Sequence, residues 1–194
     1  MGLVLALLGY WSPWLNLPPA ALRLNGFELA EWSTFLPGVR DGSLSLPRLS
    51  FLPPLAGLAL LLGIAAARFP YRSPARWTLL GAGLVCAYNI FPVYPYLLTA
   101  YANPEFQRQF FAACGVVAGL ALTMFLPAAW LDLPQIVLAA LGVWSGAQAL
   151  LTLRLAALEL MGGAWPIGIG WAAMLAGFAG LAAAGWRRLF GPRA

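Results

Sequence analysis

Apolar residues fall along this chain in long, nearly unbroken runs, and the gaps between the runs are made of proline, glycine and arginine. A hydrocarbon core of about 30 Å needs roughly 20 apolar residues at about 1.5 Å each in a helix. Runs on that scale occupy residues 51–69, 75–101, 109–130, 134–158 and 165–186, with a shorter one at 2–17. The pattern predicts an all-α integral membrane protein, a six-span transmembrane helix bundle forming a single domain over residues 1–194.

The first run holds sixteen residues, a helical rise of about 24 Å. Pro13 disturbs its end. A signal peptide is the rival reading, but no Lys or Arg precedes Arg23 and no small-residue cleavage pattern follows. The run therefore reads as a first span with Tyr10, Trp11 and Trp14 as an interfacial anchor. Residues 18–50 are the only long polar stretch, punctuated by Pro18, Pro19, Pro37, Gly38, Gly42 and Pro47. Inside it, NGFELAEWSTFLP predicts a short amphipathic helix: Asn25 caps it, Glu28 lies in its first turn, and Leu29, Trp32 and Leu36 share one face. That face either packs on the bundle rim or docks a partner.

The run at 75–101 is the least ordinary. Tyr88, Asn89, Pro92 and Pro95 stand where lipid would favour Leu. Each proline removes an amide donor, so the carbonyls of Tyr88 and Phe91 lose their helical partners and need others. Such a break is either a kink met by neighbours or a polar site lining a cavity. After it, Asn103-Pro104-Glu105 forms a strong helix-start signal. Asp132-Leu133-Pro134 reads as a tight turn, and Gly162-Gly163 breaks the chain before the last run.

Composition sharpens this picture. The chain has 194 residues, 62% hydrophobic and 9% charged, against roughly 25% charged in soluble domains. All eleven basic residues are arginine and the net charge is +5. The arginines cluster at helix ends, which points to the membrane and not to nucleic acid. By the positive-inside rule Arg68, Arg72, Arg76 and Arg187, Arg188, Arg193 are cytoplasmic. Both termini then lie inside a cell inner membrane and the 18–50 loop lies outside. No repeat of helix breaks appears, which weakens an inverted-repeat transporter.

Absences narrow the chemistry further. Without histidine there is no His-ligated haem, His metal site or His-dependent triad, and without lysine there is no Schiff-base cofactor. Cys86 and Cys114 form no CxxC motif and read as free thiols. The pattern thus implies no catalytic residues, no metal and no cofactor. Arg154 is the one ionisable residue deep within an apolar run, placed near the outer interface, where Glu28, Glu31 or Glu159 could pair with it. Arg154, Asn89, Tyr88 and Gln148 are the candidate binding residues. Gly115-x-x-x-Gly119, Gly142-x-x-x-Gly146 and the small-residue face Ala173, Gly177, Gly180, Ala184 allow close helix packing. Trp32, Leu29, Leu36, Gly177 and Gly180 are the candidate partner-docking residues. The functional expectation is a non-catalytic accessory or structural subunit, embedded in membrane lipids and associated with another membrane protein or a second copy of itself. The alternative is a small-solute transporter or channel using the break from Asn89 to Pro95.

Overall fold

The structure is a computed structural model that describes residues 1–17, 22–33, 35, 37–42, 47–92, 96–99, 102–161 and 167–191. The chain is mostly helical, and its contacts divide it into two compact units: residues 1–54 with 140–180, and residues 55–139 with 181–194.

The first unit begins with helix α1 (Gly2–Trp11), which stops at Ser12 because Pro13 cannot continue it. Two short strands, β1 (Leu15–Leu17) and β2 (Leu22–Leu24), pair antiparallel with Leu15 opposite Leu24 and Asn16 opposite Arg23. Leu15 also bridges Ile167, so the hairpin has a second neighbour along its first strand. Helix α2 (Gly26–Ser33), the single turn α3 (Pro37–Arg40) and a 3-10 turn (Arg48–Phe51) complete this polar stretch.

Large aromatic side chains make the stretch a folded cap. Tyr10 is fully buried, donates its hydroxyl to the Phe51 carbonyl at 3.2 Å, and meets Trp14 edge-on at 5.6 Å between ring centroids. Trp14, also fully buried, donates its indole N–H to the Gly9 carbonyl at 3.1 Å. Buried aromatic rings of this size contribute most when their polar atoms are met, as both are here.

Helices α8 (Asp132–Met161) and α9 (Ile169–Phe190) give residues to both units. In the first unit α9 runs antiparallel to α1. A Cβ on Gly9 would collide with the Met174 backbone, and one on Gly177 with the Ala6 backbone. Gly142 and Gly146 of α8 similarly face the Phe178 and Met174 side chains of α9. Small residues thus let these backbones approach closely.

The second unit holds most of α4 (Pro53–Ala67), with α5 (Pro74–Tyr88), the turn α6 (Tyr96–Thr99), α7 (Pro104–Thr123) and a 3-10 turn (Ala128–Leu131). Asn103 caps α7, its side chain accepting the Glu105 amide at 2.9 Å, and Pro104 takes the first helical position. Gly63 and Gly119 pack against Leu120 and Leu60 respectively, bringing α4 and α7 together.

Among the described residues, three helical stretches are long and apolar enough to cross a membrane: Arg48–Ala67, Ala128–Arg154 and Ile169–Phe190, of 20, 27 and 22 residues. They mark the chain as a membrane protein. The first is 67% buried inside the chain and the other two 28%, so α4 is a core helix while α8 and α9 keep broad outward faces.

Three of the expected spans differ. Residues 2–17 form a helix of only ten residues followed by the hairpin, because Pro13 ends the helix and Trp14 and Leu15 are drawn into the cap's core. The run 75–101 gives a fifteen-residue helix that ends at Tyr88. The run 109–130 is helical from Pro104 to Thr123, so its first turns carry Glu105, Arg108 and three further polar or proline positions.

Candidate functional site

Among the described residues, the densest polar cluster lies in the second unit, and four side chains build it. Arg68 follows the end of α4, Asp132 opens α8, Gln135 lies one turn further along the same face, and Arg188 stands in the last turn of α9. Asp132 Oδ1 accepts from Arg68 at 2.8 Å and from Arg188 at 2.9 Å. Gln135 Oε1 accepts from the same two guanidinium groups, at 3.1 and 2.6 Å, and Gln135 Nε2 donates to the Leu181 carbonyl at 2.7 Å. Every polar end of Gln135 is therefore engaged, which its burial requires. Gly185 permits the approach: a Cβ there would press on Ile136 and reach Gln135 Nε2 at 3.3 Å. The carboxylate also stands in the first turn of a helix, where the macrodipole favours negative charge.

Arg76, unlike the two cluster arginines, is a buried cation in this unit. Its guanidinium donates to the carbonyls of Phe69 and Met124, each at 3.3 Å, and lies 5.4 Å from the Tyr71 ring centroid. It closes the C-terminal end of α7, where free carbonyls make a cation favourable.

The break after α5 is satisfied locally. Asn89 Nδ2 donates to the Val85 carbonyl at 2.8 Å, and the Phe91 amide meets the Tyr88 carbonyl at 3.1 Å. Gln109 of α7, nearly fully buried, donates to the Ile90 carbonyl at 2.7 Å. Asn89 thus caps its own helix. It takes up neither of the carbonyls freed by the prolines, and Pro95 lies outside the described residues.

In the first unit the cap has its own electrostatic lock. Arg48, 5% exposed, pairs with Glu31. Asn25 Oδ1 accepts the amides of Phe27 and Glu28 at 3.0 Å, while Glu28 returns to accept the Asn25 amide at 2.9 Å, a reciprocal capping box.

Of the residues read from sequence, Tyr88 and Asn89 belong to one unit, and Gln148 and Arg154 to the other. Tyr88, Gln148 and Arg154 are exposed. The two loop carboxylates proposed for Arg154 are engaged elsewhere, Glu31 by Arg48 and Glu28 by its capping box; the Glu159 side chain lies outside the described residues. The docking face on α2 is turned inward at Leu29, which is fully buried, and half-buried at Trp32; Leu36 is outside the described residues. Gly177 is covered by α1 and offers no free face, whereas Gly180 is exposed, and a Cβ added there would have only the Gly2 Cα within 4 Å, at 3.9 Å. Sequence reasoning missed Asp132 and Gln135, whose signal is an acidic residue and an amide three apart on the arginine-rich side.

Among the described residues no group of three or more His, Cys, Asp or Glu is placed to hold a metal ion, and both cysteines are free. The polar groups neutralise, cap and clamp helix ends. No family model matches the chain, and neither a curated protein nor a solved structure matches it.

Proposed function

We propose that the chain is a non-catalytic subunit of a membrane complex: a six-span bundle in a cell inner membrane, both termini cytoplasmic, that presents a folded cap on the outer face. In this reading α1, α5 and α7 join the three longer helices in the bilayer, the shorter ones completed by flanking turns.

One observation carries the proposal: the polar stretch between α1 and α4 is built as a cap. A connecting loop needs neither a capping box nor a buried Arg48–Glu31 pair nor two fully buried aromatic residues beneath it. The ordering entropy of such a segment, about 1–2 kcal/mol per residue, is offset only by contacts of this kind. The cap also leaves Phe35 exposed at 72%, an apolar side chain suited to a partner's pocket.

The transporter reading draws less support. Most of the groups that would line its break are engaged: Asn89 Nδ2 on Val85, Gln109 Nε2 on Ile90, and the Tyr88 carbonyl on Phe91, while the buried Gln109 Oε1 is left without a partner among the described residues.

Copurification from native membranes in mild detergent, read by quantitative mass spectrometry, tests the proposal. A membrane protein, or a second copy of this chain, should copurify stoichiometrically and be lost from Phe35→Ser while the bundle still elutes as a monodisperse species. A chain that copurifies with nothing, and that carries a solute flux in proteoliposomes abolished by Asn89→Ala, refutes it.

A further inference from the structure

We propose that the arginine-rich end of the second unit is a headgroup site for anionic phospholipid, formed where the turn after α4 and the end of α9 meet on Asp132. The two segments are held together by one carboxylate, since Arg68 and Arg188 both bond to Asp132 Oδ1. Around that junction stand five arginines, Arg68, Arg72, Arg76, Arg187 and Arg188, against the single acidic Asp132, an excess of four positive charges. Asp132 is already engaged twice, so the excess has no protein counter-charge among the described residues of this end.

The arginines divide by role. Arg76 is buried on backbone carbonyls and Arg68 is engaged in the cluster, whereas Arg72 and Arg187 are exposed. Exposed aromatic pairs flank both segments. Tyr71 packs edge-on against Trp77, with centroids 5.3 Å apart, and Trp186 packs against Phe190 at 4.3 Å. Trp77 also donates its indole N–H to the Tyr71 carbonyl. Indole rings beside guanidinium groups are the side chains that settle at headgroup depth. Phosphate oxygens accept paired guanidinium hydrogen bonds, and a membrane surface bearing negative lipid meets this charge excess.

The test uses the full chain reconstituted into phosphatidylcholine vesicles containing either brominated phosphatidylglycerol or brominated phosphatidylcholine. Quenching of tryptophan fluorescence gives the relative affinity for the two lipids. Each exposed arginine is expected to contribute about fivefold at low ionic strength. The wild type should therefore favour phosphatidylglycerol, and Arg72→Gln with Arg187→Gln should lower the preference about 25-fold or to unity, whichever comes first. Arg108→Gln, which removes an exposed charge near the other end of α7, should leave it intact. Unchanged elution and thermal unfolding of the double variant keep a loss of preference separate from a loss of fold. Equal quenching by both lipids in the wild type overturns the proposal. So does a preference that survives the double substitution, or one that inorganic phosphate abolishes, which would indicate a free-phosphate site.

Discussion

Replacing Asp132 by Asn removes one charge while keeping the side chain's shape and one acceptor. Its consequence can be worked from the geometry. Asp132 Oδ1 takes two charge-assisted bonds, at 2.8 and 2.9 Å, and hydrogen bonds to charged groups contribute about 1.5–3 kcal/mol each when sheltered. The side chains of Arg68 and Arg188 are 26% and 41% exposed, so solvent screening discounts the pair, most heavily for Arg188. The variant also leaves two guanidinium groups facing each other across amide oxygens alone. A net loss of about 2 kcal/mol follows. At about 2–4 °C per kcal/mol for a chain of this size, Tm falls by about 4–8 °C. The buried Cys86 thiol supplies the assay: a thiol-reactive fluorophore reports unfolding in a Cys114→Ala background, since Cys114 is the more accessible of the two. The expected order of destabilisation is Asp132→Asn, then Arg68→Gln, then Arg188→Gln, and the first and last together should fall short of additivity by at least about 0.5 kcal/mol. A Tm for Asp132→Asn within about 1 °C of wild type would refute the clamp. An Arg188→Gln variant less stable than Asp132→Asn would refute it as well.

Two further predictions concern packing and topology. Gly9→Leu and Gly177→Leu would drive side chains into the Met174 and Ala6 backbones and should leave little monodisperse protein by size-exclusion chromatography, whereas Gly115→Ala, with nothing within 4 Å of its added methyl, should gain about 0.5–1 kcal/mol; a well-behaved Gly177→Leu protein would contradict the α1–α9 packing. A single cysteine at position 73, beside the arginines of the α4–α5 turn, should resist an impermeant thiol reagent in intact cells and react once the membrane is opened, while one at position 35 should do the reverse; labelling of position 73 from outside would invert the topology.

The helices that length and apolarity define were legible where the run is governed by local rules. Pro53 and Pro54 open α4, Asn103 and Pro104 open α7, and the last run becomes α9 within a few residues. The first run misled because hydropathy sums what is apolar without asking what surrounds it. Trp14 and Leu15 are apolar because they fill the cap, with Trp14 taking a backbone carbonyl of Gly9 and Leu15 pairing with Leu24 and Ile167. A lipid-facing residue and a cap-core residue have the same hydropathy and different neighbours. The break in the 75–101 run was visible in Pro92. Its local repair was not, because Gln109, which takes the Ile90 carbonyl, comes from another helix.

The polar cluster was illegible for a related reason. Arg68 and Asp132 are 64 residues apart and Asp132 and Arg188 are 56 apart, so no spacing rule connects them. Read alone, Asp132-Leu133-Pro134 is a turn, because Asp and Pro favour turns and helix starts alike. What distinguishes the two is Gly185, which lets α9 approach closely enough for Gln135 to reach the Leu181 carbonyl and for Arg188 to reach the carboxylate. Arg154 is the converse case. Its isolation within an apolar run made it conspicuous, yet Glu31 pairs with Arg48, which is far more buried and so gains more from a counter-charge. Between these two arginines the carboxylate goes to the one that water can least reach. With six acidic and eleven basic residues, carboxylates cannot meet every arginine one to one: buried Arg76 is met by backbone carbonyls instead, Asp132 serves the partly exposed Arg68 and Arg188 together, and Arg72 and Arg187 are left exposed.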